Sequence, residues 1–579
     1  MINQNMKLAN ACGDSTPRVA ACRRGRKAQS FRQAQSGNVA LIFGIAFLPM
    51  MVLAGSALDY AQATKRKVEI QNSLDATVLA VTQQARYMNS TQLATYADAQ
   101  FQANMGRDTT ARLYGAPSVS SDFRSVCVTA RDDSQNAVMK LVNMPVTPVA
   151  ATACAQTQNN YYEIALVLDN SGSMNNSAGG KTKLQALQDA AKAMVTAMNP
   201  AGIPQPQAAF SIVPFGAAVN IGSGYANASF MDKLGKSSIH WQNFQLPSSA
   251  PWLPASKFDL FTGISTTWGG CVEERPAPYM TTDTIASSSV PDTLFVPMLY
   301  PDENDTAYGS INKYLTDTGG TCQNNDAYNK ADTPGNSLNT GSVGTGDGQT
   351  KVCKYKNQAM ASTAVTALGS GFMSGPNLLC TTKSLQQLST DMTVVNATIQ
   401  NNLVAHGDTN AMAGLMWGWR TLSPNGPFNV HGNSSVGYQD PRGYGAKTND
   451  GRNVIKVMVL MSDGKNNWAA SSANVNGGIF NAFGYMKNKR LGSNTTSSNS
   501  RTLMDTKTLE ACTNIKAAGI QLFTVGFSTP TDPIDATGLG VLQTCASSTD
   551  SAFTAGDGTQ IVTAFQEIAK AITRLRISN

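Results

Sequence analysis

Tyr-Tyr-Glu-Ile-Ala-Leu-Val-Leu-Asp, residues 161–169, followed by Asn170-Ser171-Gly172-Ser173, is the stretch that decides the fold. A nearly unbroken apolar run closed by turn residues reads as a strand buried on both faces, as in the interior of a parallel sheet. A polar loop, a helical pattern over Leu184–Met198 and a second apolar strand over Ala208–Phe215 come next. Strand, helix, strand opens a parallel α/β sheet. The alternation stops at about Asn220 and resumes near Asp391. It then predicts a helix near Ala411–Leu422, a strand Val454–Met461, a helix Leu503–Ala518 and a strand Ile520–Phe527. A short helix near Leu539–Cys545, an edge strand Ala552–Thr554 and a last helix Gln560–Leu575 complete it. The expectation is an α/β fold: a doubly wound, mostly parallel sheet in two parts, 158–220 and 391–579, interrupted by an insertion, 221–390. The insertion is rich in Ser, Thr, Gly, Asn and Pro, yet it holds three of the six tryptophans and four of the ten cysteines. It therefore reads as a disulfide-bearing unit rather than a linker, with Asn336–Thr350 as a mobile loop.

Upstream, Val39–Leu58 is a 20-residue run without charge, long enough to cross about 30 Å of hydrocarbon as one helix. A secretory signal peptide is the rival reading; its apolar core would be shorter, and Ala54-Gly55-Ser56-Ala57 would offer the cleavage site. Seven basic residues and one acid in 1–37 place the N-terminus in the cytoplasm and everything after Tyr60 outside, although Lys65, Arg66 and Lys67 oppose that orientation. The chain divides into a basic cytoplasmic tail (1–37), a transmembrane helix (38–60), which the resemblance given below makes pilin-like, a helical stalk (61–114) without Pro or Gly between Ala57 and Met105, and a small β-rich region (115–157) before the α/β domain.

Charge and cysteine usage narrow the function classes. Of the net charge of +7, the tail holds +6, so the other 542 residues carry +1 and present no basic face for nucleic acid. Charged residues are only 14% of the chain, which suits a Ser/Thr/Asn-rich surface outside the cytosol. Eight cysteines beyond the apolar run suit disulfides in an oxidising compartment. Sequence order suggests Cys127–Cys154 and Cys512–Cys545, with Cys271, Cys322, Cys353 and Cys380 bridging among themselves. No C-x-x-C pair occurs and none of His240, His406 and His431 has a cysteine at zinc-ligand spacing, so a structural zinc site is not expected.

Ligands of such sheets bind at the carboxyl ends of the strands, where Asp169, Ser171 and Ser173 offer one carboxylate and two hydroxyls at alternate positions. A calcium EF-hand would need Gly and Glu where Met174 and Gly180 stand. A phosphate-binding loop ending in Gly180-Lys181-Thr182 would need Gly at Asn175. The D-x-S-x-S pattern resembles the metal-ion-dependent adhesion site of the von Willebrand factor type A domain. That resemblance extends to Thr409 in Gly407-Asp408-Thr409-Asn410 and to Asp463 in Leu460-Met461-Ser462-Asp463-Gly464. It implies one Mg²⁺, with Mn²⁺ or Ca²⁺ as alternatives, held by Asp169, Ser171, Ser173, Thr409 and Asp463. Two carboxylates and three neutral hydroxyls leave the cation room to take a carboxylate from a protein partner. The blander reading has the serines only cap the following helix. No nucleophile–base arrangement suggests an enzyme, and His406 is read as structural.

A second resemblance covers nearly the whole chain. Gly37-Asn38-Val39-Ala40-Leu41-Ile42-Phe43 with Asp59-Tyr60, Trp268-Gly-Gly-Cys271-Val-Glu-Glu-Arg275-Pro276, Phe295-Val-Pro297 with Pro301-Asp302-Glu303, and Gly414-Leu-Met-Trp417-Gly418-Trp419-Arg420 with Leu422-Ser-Pro424 look like TadG-type proteins of the bacterial tight-adherence (Flp) pilus system. The resemblance implies a single-pass inner-membrane protein with a periplasmic or extracellular von Willebrand A domain, acting in pilus assembly or adhesion with other pilus components. A structural envelope anchor with a vestigial metal site is the alternative. Pilin-like segments usually carry glutamate five residues after the processed glycine; counted from Gly37, that place holds Ile42, which sets fibre incorporation in doubt.

Overall fold

The computed structural model describes residues 38–85, 88–106, 110–120, 125–156, 160–200, 206–244, 246, 253–305, 311–317, 349–350, 352–360, 375–380, 383–428, 438–470, 476–493 and 496–573. The basic tail, Cys322, His431 and all of Asn336–Thr350 except Gln349 and Thr350 lie outside them. The chain divides into two compact units.

The first unit is built on one long helix, α1 (Asn38–Gln84), with Pro49 inside it. Its N-terminal part keeps Ile42, Phe43, Ile45, Phe47, Met50, Met51 and Leu53 exposed, whereas Ile70, Leu74, Val78 and Val81 further along are buried. The continuous stalk expected from sequence is instead two helices. α1 ends at Gln84, and α2 (Ser90–Met105) runs back so that Asn104 bonds the Thr77 hydroxyl at 3.1 Å and accepts from Ser73. Each helix carries an apolar stripe, and folding back buries both: Leu93, Ala97 and Phe101 join the α1 residues in the core. Two short strands, β1 (Arg112–Leu113) and β2 (Ser118–Val119), flank β3 (Ser125–Gln135), which also pairs with β4 (Val146–Gln156). β3 alternates buried and exposed residues, the pattern of a sheet covered on one face, and Cys127–Cys154 ties β3 to β4.

The second unit is the α/β domain. In chain order its elements are β5 (Asn160–Asp169), α3 (Lys183–Met198), β6 (Ala208–Phe215), α4 (Lys257–Gly263), β7 (Gln386–Ser389), α5 (Met392–Asn402), α6 (Ala411–Leu422), β8 (Asn453–Ser462), α7 (Ser497–Ala517), β9 (Gln521–Phe527), α8 (Ala536–Cys545), β10 (Ala552–Ala555) and α9 (Gly558–Thr573). The sheet order is β10-β9-β8-β5-β6-β7, parallel throughout except for the β6–β7 pair. β5 sits inside the sheet with Leu166 level with Ile212 on one side and Val459 on the other, which is why its apolar run is unbroken. Alternate residues serve opposite faces. Ile164, Leu166 and Leu168 pack with α3, α5 and α9, while Ala165 and Val167 pack with α6, α7 and α8. This is the doubly wound, mostly parallel sheet expected from the sequence. Two departures are local: β7 is four residues long, too short to read from its pattern, and α7 starts six residues before Leu503 because its Ser/Asn-rich first turns, capped by Thr496, carry no apolar signal.

Between β6 and β7 the insertion builds its own contacts onto the α6 face of the sheet. Phe230, Trp268, Phe295 and Tyr355 join the same apolar core as Val167 and Trp417. Glu274 pairs with Arg420 of α6 at 3.1 Å, and the Phe295 and Trp417 rings lie 4.9 Å apart. The motifs around Glu274, Phe295 and Trp417–Arg420, separate in the sequence, are therefore neighbours in space. Cys271–Cys380 and Cys512–Cys545 form disulfides, and Cys353 is disulfide-bonded as well.

Candidate metal centre

The site forms where β5 and β8, adjacent and parallel, end at the same edge. Asp169 is the last residue of β5 and fully buried. Its Oδ1 accepts the Ser171 N–H at 2.7 Å and its Oδ2 accepts the hydroxyl of Ser462, the last residue of β8, at 2.6 Å. The chain then turns through a short 3-10 segment, Gly172–Asn175, which brings Ser171 Oγ and Ser173 Oγ within 3.1 Å of each other. Asp463 comes directly after β8, and its Oδ1 accepts from Ser173 at 2.8 Å and from Ser171 at 3.4 Å.

Thr409 arrives from a loop laced to this edge by its backbone. His406 N–H donates to Asn170 O at 2.7 Å, Gly172 N–H to Gly407 O at 3.0 Å, Asn410 N–H to Gly216 O at 3.0 Å and Asn467 N–H to Thr409 O at 2.9 Å. Gly407, at φ +75°, supplies the left-handed turn that the loop needs. A Cβ placed on Gly464 would lie 4.0 Å from both Ser173 Oγ and Thr409 Oγ1, so the two hydroxyls flank the same glycine. All five residues singled out in the sequence come together. The serines are not helix caps: α3 is capped by Thr182, which exchanges hydrogen bonds with Gln185.

The electrostatics are those of carboxylates crowded in a dry place. Burial first, and then the charge of Asp463, push the Asp169 carboxyl up to about 7. Burial also raises Asp463, against the pull of a lysine that the sequence did not reveal. Lys183, the first residue of α3, is fully buried and donates to Asp463 Oδ2 at 3.0 Å and to Asp532 Oδ2 at 2.6 Å. Nothing in the spacing of Lys183, Asp463 and Asp532 signals this trio. His406 is part-buried, which lowers its pKa.

The donor set fits a hard divalent cation: carboxylate and hydroxyl oxygens without sulfur or imidazole, in a group where only Asp463 of the two buried carboxylates meets an ammonium. Among the described residues no three His, Cys, Asp or Glu side chains gather as a metal cluster; this group has two carboxylates and makes up the rest from hydroxyls.

Comparison with solved structures gives remote likenesses only. The pilus adhesin SpaC of Lactobacillus rhamnosus GG is 10% identical, with 80% of this chain and 34% of that one covered at a TM-score of 0.30. The vWF domain of the type V pili tip protein Mfa5 of Porphyromonas gingivalis is 10% identical, with 73% and 99% covered at 0.29. Proximal thread matrix protein 1 of the mussel byssus, solved with a zinc-occupied MIDAS motif, is 10% identical, with 72% and 48% covered at 0.24. The chain thus spans about a third of the length of the Lactobacillus adhesin. No curated protein matches it. Residues 37–84, ending at the last residue of α1, match the family described as "Putative Flp pilus-assembly TadE/G-like". The family match is confined to that N-terminal segment, and the larger unit is a doubly wound, mostly parallel α/β domain.

Proposed function

We propose that this protein is a membrane-anchored component of pilus assembly or adhesion that recognises a protein partner through a divalent cation, Mg²⁺ in the first instance, held by Asp169, Ser171, Ser173, Thr409 and Asp463. The supporting observation is the hydrogen-bonded group of Asp169, Ser171, Ser173 and Asp463, whose members lie up to 294 positions apart in sequence. When bound, the cation would offer an open position to a carboxylate of the partner, a pilus component in this reading. The chain's own residues do the rest. Asp169 and Asp463 supply the negative charge, the three hydroxyls supply neutral ligands, and Ser462 fixes the Asp169 carboxylate. The anchor is α1, inserted in the inner membrane with the larger unit on the periplasmic or extracellular side. The work assigned to the site is recognition, not turnover.

Calorimetric titration of the full-length protein with Mg²⁺ or Mn²⁺ tests the site. Wild type should bind one cation and Asp169→Ala none, while circular dichroism shows the variant folded. Equal binding by both overturns the metal site. One observation favours the alternative of a structural anchor with a vestigial site: Lys183 already places an ammonium on Asp463. In that reading neither protein binds.

A further inference from the structure

The exposed apolar part of α1 ends at a built boundary. Asp59, the first charged residue after Arg32, is only 3% exposed although it sits on the helix that carries the apolar run. Its carboxylate accepts three backbone N–H groups, from Ala137 at 2.7 Å, Val138 at 3.0 Å and Met139 at 2.7 Å. These open the segment joining β3 to β4, whose centre is the 3-10 turn Met139–Val142. Four residues before Asp59, about 6 Å back along the helix axis, Gly55 lacks a side chain where Val138 packs. A Cβ there would lie 2.1 Å from Val138 Cγ1. The segment is thus pinned to α1 twice, by a charge at the end of the apolar run and by an apolar contact one helical turn inside it.

Beyond the pins, its tip is apolar and open. Leu141 is 79% exposed, Met144 56% and Val142 45%, and the one charged side chain among residues 138–144 is the exposed Lys140. We propose that Val138–Met144 is a membrane-dipping loop. Leu141, Val142 and Met144 enter the headgroup–acyl boundary of the leaflet that α1 leaves, and Lys140 reaches lipid phosphates. This rests on the reading of α1 as a membrane span. Lipid is the occupant because the segment with the apolar tip is seated by Val138 on Gly55, inside the run of α1 whose apolar side chains are exposed, and interfacial apolar groups bury about 5–10 Å into a membrane. The Asp59 carboxylate is already satisfied by backbone donors, so it can lie beneath the water boundary without a bare charge. The loop would fix the rotation of α1 in the bilayer and hold the first unit against the membrane surface.

The test places a reporter on the tip. Full-length Leu141→Trp, a change at an exposed position that leaves the packing intact, is reconstituted in phosphatidylglycerol-containing liposomes with or without acyl-brominated lipid. Emission added over the parent protein should fall at least about twofold with brominated lipid and be shifted to the blue, as for a side chain in the interface. A protein that resists carbonate extraction but shows unquenched, water-like added emission overturns the loop and leaves the anchor standing. Unquenched but blue emission that varies with the protein-to-lipid ratio assigns the tip to a second copy of the chain and also overturns it. Removal by carbonate removes the anchor, and the loop with it.

Discussion

The Lys183 ammonium donates to Asp463 Oδ2 at 3.0 Å, and neither side chain has solvent contact. Lys183 begins α3 and Asp463 directly follows β8, so the ion pair joins the first helix of the α/β domain to the strand edge where the candidate ligands gather. It neutralises half of the carboxylate charge that a cation would otherwise face, and it leaves Asp169 without a basic partner among its contacts.

Lys183→Met should destabilise the cation-free protein by about 3 kcal/mol or more, because a buried pair broken on one side leaves an uncompensated charge. Millimolar Mg²⁺ should recover much of that loss if the cation takes over the neutralising role. Urea denaturation with and without Mg²⁺ measures both; a loss unchanged by Mg²⁺ would argue that the lysine acts independently of any cation.

Two glycines should respond with opposite sign. Gly414 in α6 faces the sheet so closely that a Cβ would lie 2.7 Å from the Phe215 ring and 2.9 Å from Val167 Cγ1, and Gly414→Ala should cost about 1–3 kcal/mol through overpacking. Gly540 in α8 has nothing within 4 Å of that position, and Gly540→Ala should gain up to about 1 kcal/mol from helix propensity. Thermal melts of the two variants check this; a stabilised Gly414→Ala would contradict the close approach of α6 to β5 and β6.

Acid should loosen the insertion through His240. This buried imidazole is 2.8 Å from Asp232 Oδ2 at Nδ1 and accepts the Lys257 N–H at Nε2, 2.8 Å, so the native ring is neutral. Burial lowers its pKa, opposed by Asp232. A folded-state pKa below the unfolded value means that the unfolded chain binds the proton more readily, so the stabilising contribution is whole above about pH 6.5 and is lost as pH falls below it. Urea midpoints between pH 5 and 8 should show a decline that His240→Gln flattens; equal slopes in both proteins would assign the decline elsewhere.

Cys271 and Cys380, 109 positions apart, close the longest disulfide loop among the described residues. Replacing both by Ala should cost about 4 kcal/mol, mostly by freeing the unfolded chain. Denaturation of the oxidised wild type and the double variant measures it; a loss below about 1 kcal/mol would show that the insertion is held by its core alone.

The motifs of the insertion mark the edge of what sequence reasoning reaches. Glu274, Phe295, Trp417 and Arg420 were legible as members of separate motifs in one resemblance, but that Glu274 meets Arg420 and Phe295 meets Trp417 depends on the path of a chain with no periodicity to read. The long helix shows a similar limit. Apolar spacing over 68–81 predicts helix, yet the same stripe is satisfied by a straight stalk or by a second helix folded back on it, and only packing chose the latter.

The sequence by itself determined that β5, β6, β8 and β9 are buried strands, because short runs apolar on both faces and bounded by turn residues suit the interior of a parallel sheet. It also determined that Asp169, Ser171 and Ser173 stand at the end of the first of them, since residues adjacent in the chain must stand beside the strand they close. Tertiary structure alone decided the sheet order, the antiparallel β7, the approach of Thr409, the pinning of Val138–Met144 by Asp59 and the presence of Lys183 beside Asp463. These are relations between residues tens to hundreds of positions apart, and their energies come from burial and from hydrogen bonds to charged groups, which exist only once the intervening chain has been folded away.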